Sequence, residues 1–118
     1  MPPLATVLVV DDDRSLRLLC RVNLELEGFA VLEASTVDEA DAIVEQERPD
    51  VVLLDVHLQN TDTRQLLSRL RAAGIPVALV TGSVDLEEYR GEADAILAKP
   101  FEPASLVELA RRLARVES

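Results

Sequence analysis

Chemistry-bearing side chains stand directly after four apolar runs of the chain. Thr6–Val10 (TVLVV) leads into Asp11-Asp12-Asp13, and Val51–Leu54 leads into Asp55. Pro76–Val80 leads into Thr81-Gly82, and Ile96–Ala98 into Lys99-Pro100. Adjacent carboxylates repel one another at neutral pH, so a positive charge has to sit with them. A hard divalent cation such as Mg²⁺ meets that need, because it keeps several waters and takes only one or two protein carboxylates. It also keeps the acids ionised. With the charge neutralised, Asp55 can attack phosphorus as a nucleophile and form an aspartyl phosphate. Such a transfer asks mainly for positioning and for neutralisation of the phosphoryl oxygens. The Lys99 ammonium, the Thr81 hydroxyl and the Gly82 N–H supply those partners. Singly, each residue has a plainer reading: an aspartate after a strand is commonly a helix cap, which suits Asp13. The set says more than its members because its groups are chemically complementary.

The elements that must position these groups follow from periodicity. Thr6–Val10 and Val51–Asp55 are apolar on both sides, as strands covered on both faces are. Leu16, Leu19, Cys20 and Leu24 form a helical stripe, stopped at Gly28. Ala30–Glu33 reads as a short strand. Thr36 to Glu39 reads as a capping box, opening a helix with Val37, Ala40, Ile43 and Val44 inward and Pro49-Asp50 beyond its end. Leu66, Leu67 and Leu70 mark a third helix closed by Gly74. Pro76–Val80 and Ile96–Ala98 are the fourth and fifth strands. Pro103 opens a last helix with Leu106, Leu109, Ala110 and Leu113 inward. The poorest pattern lies between Thr81 and Ala95. Strands alternating with helices over short loops predict an α/β fold, a doubly wound five-stranded parallel sheet with helices on both faces. Ligands of such sheets bind beyond the carboxyl ends of the strands. Asp11, Asp55, Thr81 and Lys99 all fall there.

Composition narrows the classes further. The 118 residues, 48% of them hydrophobic, suit one domain spanning 1–118. With 22 acids against 12 bases the net charge is −10, which argues against a nucleic-acid partner. No apolar run is long enough for a membrane span and no signal peptide is legible, so a cytoplasmic location is expected. One cysteine and one histidine cannot build a zinc site, and Cys20, on an apolar helical face, reads as a small buried hydrophobe.

From VLVVDDD through VVLLDVHL and VTG to LAKPF, nearly the whole chain resembles the receiver domains of two-component response regulators. The resemblance implies a flavodoxin-like sheet of strand order 2-1-3-4-5. It implies that Asp11, Asp12 and Asp55 hold Mg²⁺, with the carbonyl of His57 completing the metal shell. Asp55 would accept phosphate from a histidine kinase or histidine phosphotransfer protein. Thr81, Gly82 and Lys99 would bind the phosphoryl group, with a cis bond between Lys99 and Pro100. A signalling domain is implied rather than an enzyme. It would assist its own phosphorylation and dephosphorylation, act on a downstream protein partner, and exist as a monomer or weak homodimer.

The chain departs from the family pattern in places. Gln59 and Thr63 stand where a proline and a glycine are usual, and Ile96 replaces the aromatic that turns inward as the threonine engages phosphate. The usual switch between Thr81 and that position therefore cannot work as such. Lys99 lies only 18 positions after Thr81, so the family's fourth helix, within 82–94, is expected to be short or irregular. Signalling would then run through ordering of that segment when phosphate draws in Thr81 and Gly82. These features are similar to a receiver subgroup with a Phe-Ala-Thr-Gly fourth strand, although Leu79-Val80 stands in place of Phe-Ala. Two rival readings stay open. One is a receiver fold acting without phosphorylation. The other is a haloacid-dehalogenase-type phosphatase with Asp11 as nucleophile and Asp13 as acid.

Overall fold

β-Branched and leucine-rich runs, each closed by a polar residue, form the five strands: β1 (Thr6–Val10), β2 (Ala30–Ala34), β3 (Val51–Asp55), β4 (Val77–Thr81) and β5 (Ala95–Ala98). Between and after them lie α1 (Arg14–Leu26), α2 (Val37–Glu47), α3 (Arg64–Ala72) and α4 (Pro103–Ala114). The computed structural model describes residues 3–56, 58, 63–82, 91 and 93–115. The expectations for His57, Gln59 and most of 82–94, including the irregular helix and its ordering, lie outside the described residues. All strand pairs are parallel, in the order β2-β1-β3-β4-β5. The doubly wound, flavodoxin-like architecture expected from the sequence is the one found.

The unbroken apolar strands make sense because both faces of the sheet are covered. Alternate residues point to opposite sides. Val7, Val9, Val51, Leu53, Ala78 and Val80 pack with Cys20 and Leu24 of α1 and with Leu106, Leu109 and Ala110 of α4. Leu8, Val10, Val52, Leu54, Val77 and Leu79 pack with Ala40 of α2 and with Leu66, Leu67 and Leu70 of α3. Leu54, fully buried and next to Asp55, tests this layer. Leu54→Ala should lower the unfolding free energy by about 3 kcal/mol in a denaturant titration, through lost transfer energy and a cavity.

Local signals mostly behave as expected. The Asp13 carboxylate caps α1 by accepting from the N–H groups of Ser15 and Leu16. Gly28 and Gly74 take the positive φ angles, 100° and 74°, that end α1 and α3. The capping box of α2 closes one residue early. Thr36 accepts from the Glu39 N–H, but the Glu39 carboxylate accepts from the N–H and hydroxyl of Ser35 rather than from Thr36. Leu19 corrects the expected α1 stripe, being 42% exposed beside the more exposed Leu18, Val22 and Leu26. Only the row Leu16, Cys20, Leu24, spaced four residues apart, faces the core; Leu19 points away from it. Cys20 is buried as expected. Burial first, and the charge of Asp11 second, push its thiol up to about 11, so it is unreactive at neutral pH.

Candidate functional site

Strand register brings the polar ends together. Val10 pairs with Leu54, so Asp11, one residue on, lies level with Asp55 across the β1–β3 seam. Asp55 pairs with Val80 and Thr81 with Ala98, which places Thr81 one step and Lys99 two steps further out, at the ends of β4 and β5. The polar residues thus form a row along the carboxyl edge of the central strands. Asp11, Asp55 and Thr81 are buried, and Asp12 is exposed at the rim.

Carboxylate oxygens of Asp11, Asp12 and Asp55 all lie within 4.8 Å of one another. The Lys99 ammonium reaches across the strand ends to Asp11 Oδ2 at 3.2 Å and to Asp55 Oδ2 at 3.9 Å. Its base is fixed to β4, since the Lys99 N–H donates to the Thr81 carbonyl at 2.9 Å. The Lys99–Pro100 peptide is cis. Gly82 is exposed at the end of β4, and a methyl group there would meet Lys99 Cβ at 3.8 Å, an ordinary contact. Asp13 does not join the cluster with its side chain. Its N–H donates to Asp11 Oδ1 at 2.9 Å while its carboxylate caps α1. That removes the acid a haloacid-dehalogenase mechanism would need beside Asp11. Ile96 pairs with Leu79 on the edge strand, on the same sheet face as Thr81, and is 37% exposed.

Burial raises the Asp11 carboxyl above its ordinary range, and the charge of Asp55 adds to the rise. The Asp13 N–H and Lys99 oppose it without cancelling it. Three oxygen-only ligands converging in this way suit a hard divalent cation, whose charge would offset the same repulsion. An acid with a raised folded pKa stabilises the fold fully below its unfolded value, here 3.8, and loses that contribution as pH rises through the folded value. At neutral pH without metal, then, the Asp11 charge works against folding. Asp11→Asn keeps an oxygen for the Asp13 N–H. It is expected to raise the melting temperature in metal-free buffer at pH 7.5 by about 4 °C, equivalent to about 1 kcal/mol. At pH 3.5 the gain should vanish.

Sequence reasoning passed over two residues that the structure draws into the site. Arg17 Nη1 donates to the Asp11 carbonyl oxygen at 2.7 Å, and Arg17 Nε pairs with Glu33 at 3.1 Å. A basic residue one turn into the helix that follows an acidic strand end is the signal that could have found Arg17.

Fold and site together define a receiver-type α/β domain carrying an acidic cluster and a lysine at the carboxyl edge of its sheet. The response regulator receiver domain family matches residues 7–111, and the chain belongs to that family. The phosphate regulon transcriptional regulatory protein PhoB of Pseudomonas aeruginosa is 34% identical over 86% of this chain and 48% of its own length. The DNA-binding response regulator MtrA of Mycolicibacterium smegmatis is 36% identical over 94% of this chain and 51% of its own length. The chain therefore spans about half the length of these curated relatives. Among solved structures, the receiver domain of NtrX from Brucella abortus superposes with a TM-score of 0.85 at 28% identity, covering 94% of this chain and 99% of that one. Chemotaxis protein CheY4 of Vibrio cholerae gives 0.83 at 27% identity, covering 92% and 98%. The chain is a signalling domain of the two-component type.

Proposed function

We propose that residues 1–118 form one receiver domain that takes a phosphoryl group from a phosphohistidine onto Asp55. The observation that carries this reading is the convergence of Asp11, Asp12 and Asp55 within 4.8 Å beneath a lysine that reaches both Asp11 and Asp55. One Asp55 carboxylate oxygen attacks phosphorus. The P–N bond to the donor imidazole breaks, its electron pair stays on the ring nitrogen, and that nitrogen takes a proton from water. Asp11, Asp12 and Asp55 would hold Mg²⁺, which when bound offsets charge on the carboxylates and on the phosphoryl oxygens. Lys99 moves its ammonium from Asp11 to a phosphoryl oxygen, a short swing from its present place between the two acids. The Thr81 hydroxyl and the Gly82 N–H donate to the remaining oxygens. Water attack on phosphorus later breaks the acyl phosphate and restores Asp55, so the domain limits its own signal.

The donor is a histidine kinase or histidine phosphotransfer protein of the cytoplasm, and a protein partner reads the phosphorylated surface. The net charge of −10 argues against direct nucleic-acid contact by this domain. Radiolabelled phosphotransfer from a panel of autophosphorylated kinases tests the reading. Label should pass to the chain within minutes from one donor and depend on Mg²⁺. Failure with every kinase and with a small acyl phosphate would leave the phosphorylation-independent interaction module as the better account.

A further inference from the structure

The reaction proposed above gives no task to Arg17, whose side chain on α1 is only 15% exposed. Its two contacts are made by different nitrogens of the guanidinium, Nη1 to the Asp11 carbonyl at 2.7 Å and Nε to Glu33 Oε1 at 3.1 Å. Glu33, on β2, is held in turn by Arg21, whose Nη1 lies 2.7 Å from Oε2. Hydrogen bonds from Arg21 and then Arg17 keep the Glu33 carboxyl below its ordinary range, so it stays charged across neutral pH. The chain of contacts runs from the surface of α1, over the edge of β2, to the backbone between the two acids.

The position of that backbone gives the contact its weight. The β1–β3 ladder ends at Val10 and Leu54, so the Asp11 carbonyl lies past the sheet, where the chain turns into Asp12-Asp13. A carbonyl held by a charged donor fixes the planar peptide that contains it. That peptide joins Asp11 to Asp12 and sets the direction in which the Asp12 side chain leaves the backbone. The Asp13 N–H and Lys99 already hold the Asp11 carboxylate. Arg17 adds a constraint of its own, on the peptide that leads into Asp12.

We propose that Arg17, oriented by Glu33, is a positioning residue for the cation site. It fixes the Asp11–Asp12 peptide, and so the separation of the two carboxylates, from outside the coordination shell. The inference rests on the assignment of Asp11 and Asp12 to Mg²⁺. A guanidinium fork can satisfy both the carbonyl and Glu33 at set angles, whereas a lysine ammonium brings the same charge without that geometry.

Mg²⁺ titrations of wild type, Arg17→Met, Arg17→Lys, Glu33→Gln and Asp12→Ala test it. Binding is followed calorimetrically and by the metal-dependent rise in melting temperature. The Mg²⁺ dissociation constant should rise about tenfold in Arg17→Met, nearly as much in Arg17→Lys, and about threefold in Glu33→Gln. At saturating Mg²⁺ the rate of phosphorylation by a small acyl phosphate should return to within about twofold of wild type, because the attacking group is untouched. A lower metal-free melting temperature with unchanged Mg²⁺ affinity would reduce Arg17 to a structural role and overturn the proposal. Wild-type affinity in Arg17→Lys would overturn it too, since charge alone would then suffice. If Arg17→Met does not fold, Arg17→Lys and Glu33→Gln decide. Asp12→Ala separates the two levels of argument, because undiminished Mg²⁺ binding there removes the metal site itself, whatever Arg17 does.

Discussion

Asp55→Asn is expected to fold normally and to gain no phosphoryl group from any donor, where wild type gains one. The residue ends the central, fully buried strand and is the acid nearest the middle of the rim, with Lys99 Nζ 3.9 Å from its carboxylate. An amide nitrogen or oxygen at that position is a far weaker nucleophile than a carboxylate oxygen. The loss should reach the detection limit, at least about a thousandfold, rather than the partial loss seen when one stabilising contact is removed. Intact mass after incubation with a small acyl phosphate and Mg²⁺ reads the result directly. A singly phosphorylated Asp55→Asn protein would place the acceptor elsewhere. If Asp11→Asn alone abolished uptake at the same time, the phosphatase reading would regain its footing.

Next in size is the effect of Asp12→Ala. Asp12 is the exposed member of the acidic cluster, so its removal leaves the core intact while taking one of three carboxylate ligands from the proposed cation. Hard-cation sites of this sort are weak and depend on ligand number, so Mg²⁺ affinity should fall by about a hundredfold or more. Phosphorylation at a few millimolar Mg²⁺ should fall with it. The metal-dependent rise in melting temperature should disappear, because a ligand stabilises only to the extent that it binds the folded state. Retention of both the Mg²⁺ response and phosphorylation in this variant would move the cation away from Asp11 and Asp12.

Much of the molecule was legible in one dimension. Both central strands are apolar on both faces until their polar ends, a pattern that only a sheet covered on both faces can use, and that implies the helices on each side. The residues following those strands then had to meet at one rim, which brings Asp11, Asp55, Thr81 and Lys99 together from strand periodicity alone. Caps and stops such as Asp13, Gly28 and Gly74 are local, involving residues a few places apart, and for that reason were readable. What folding decided is the direction of side chains whose partners are remote in sequence. Leu19 shares its neighbours' apolar character, yet the row through Cys20 and Leu24 alone meets the sheet. Of three adjacent aspartates, Asp11 is buried, Asp12 lies exposed beside it, and Asp13 turns its carboxylate to α1. Lys99 crosses from the end of β5 to Asp11, and Arg17, held by Glu33 of β2, reaches the Asp11 carbonyl from α1. The sequence alone determined which groups arrive at the rim, because strand periodicity is a local property. Only tertiary structure decided which of them touch, because register and helix rotation are set by packing between elements far apart in the chain.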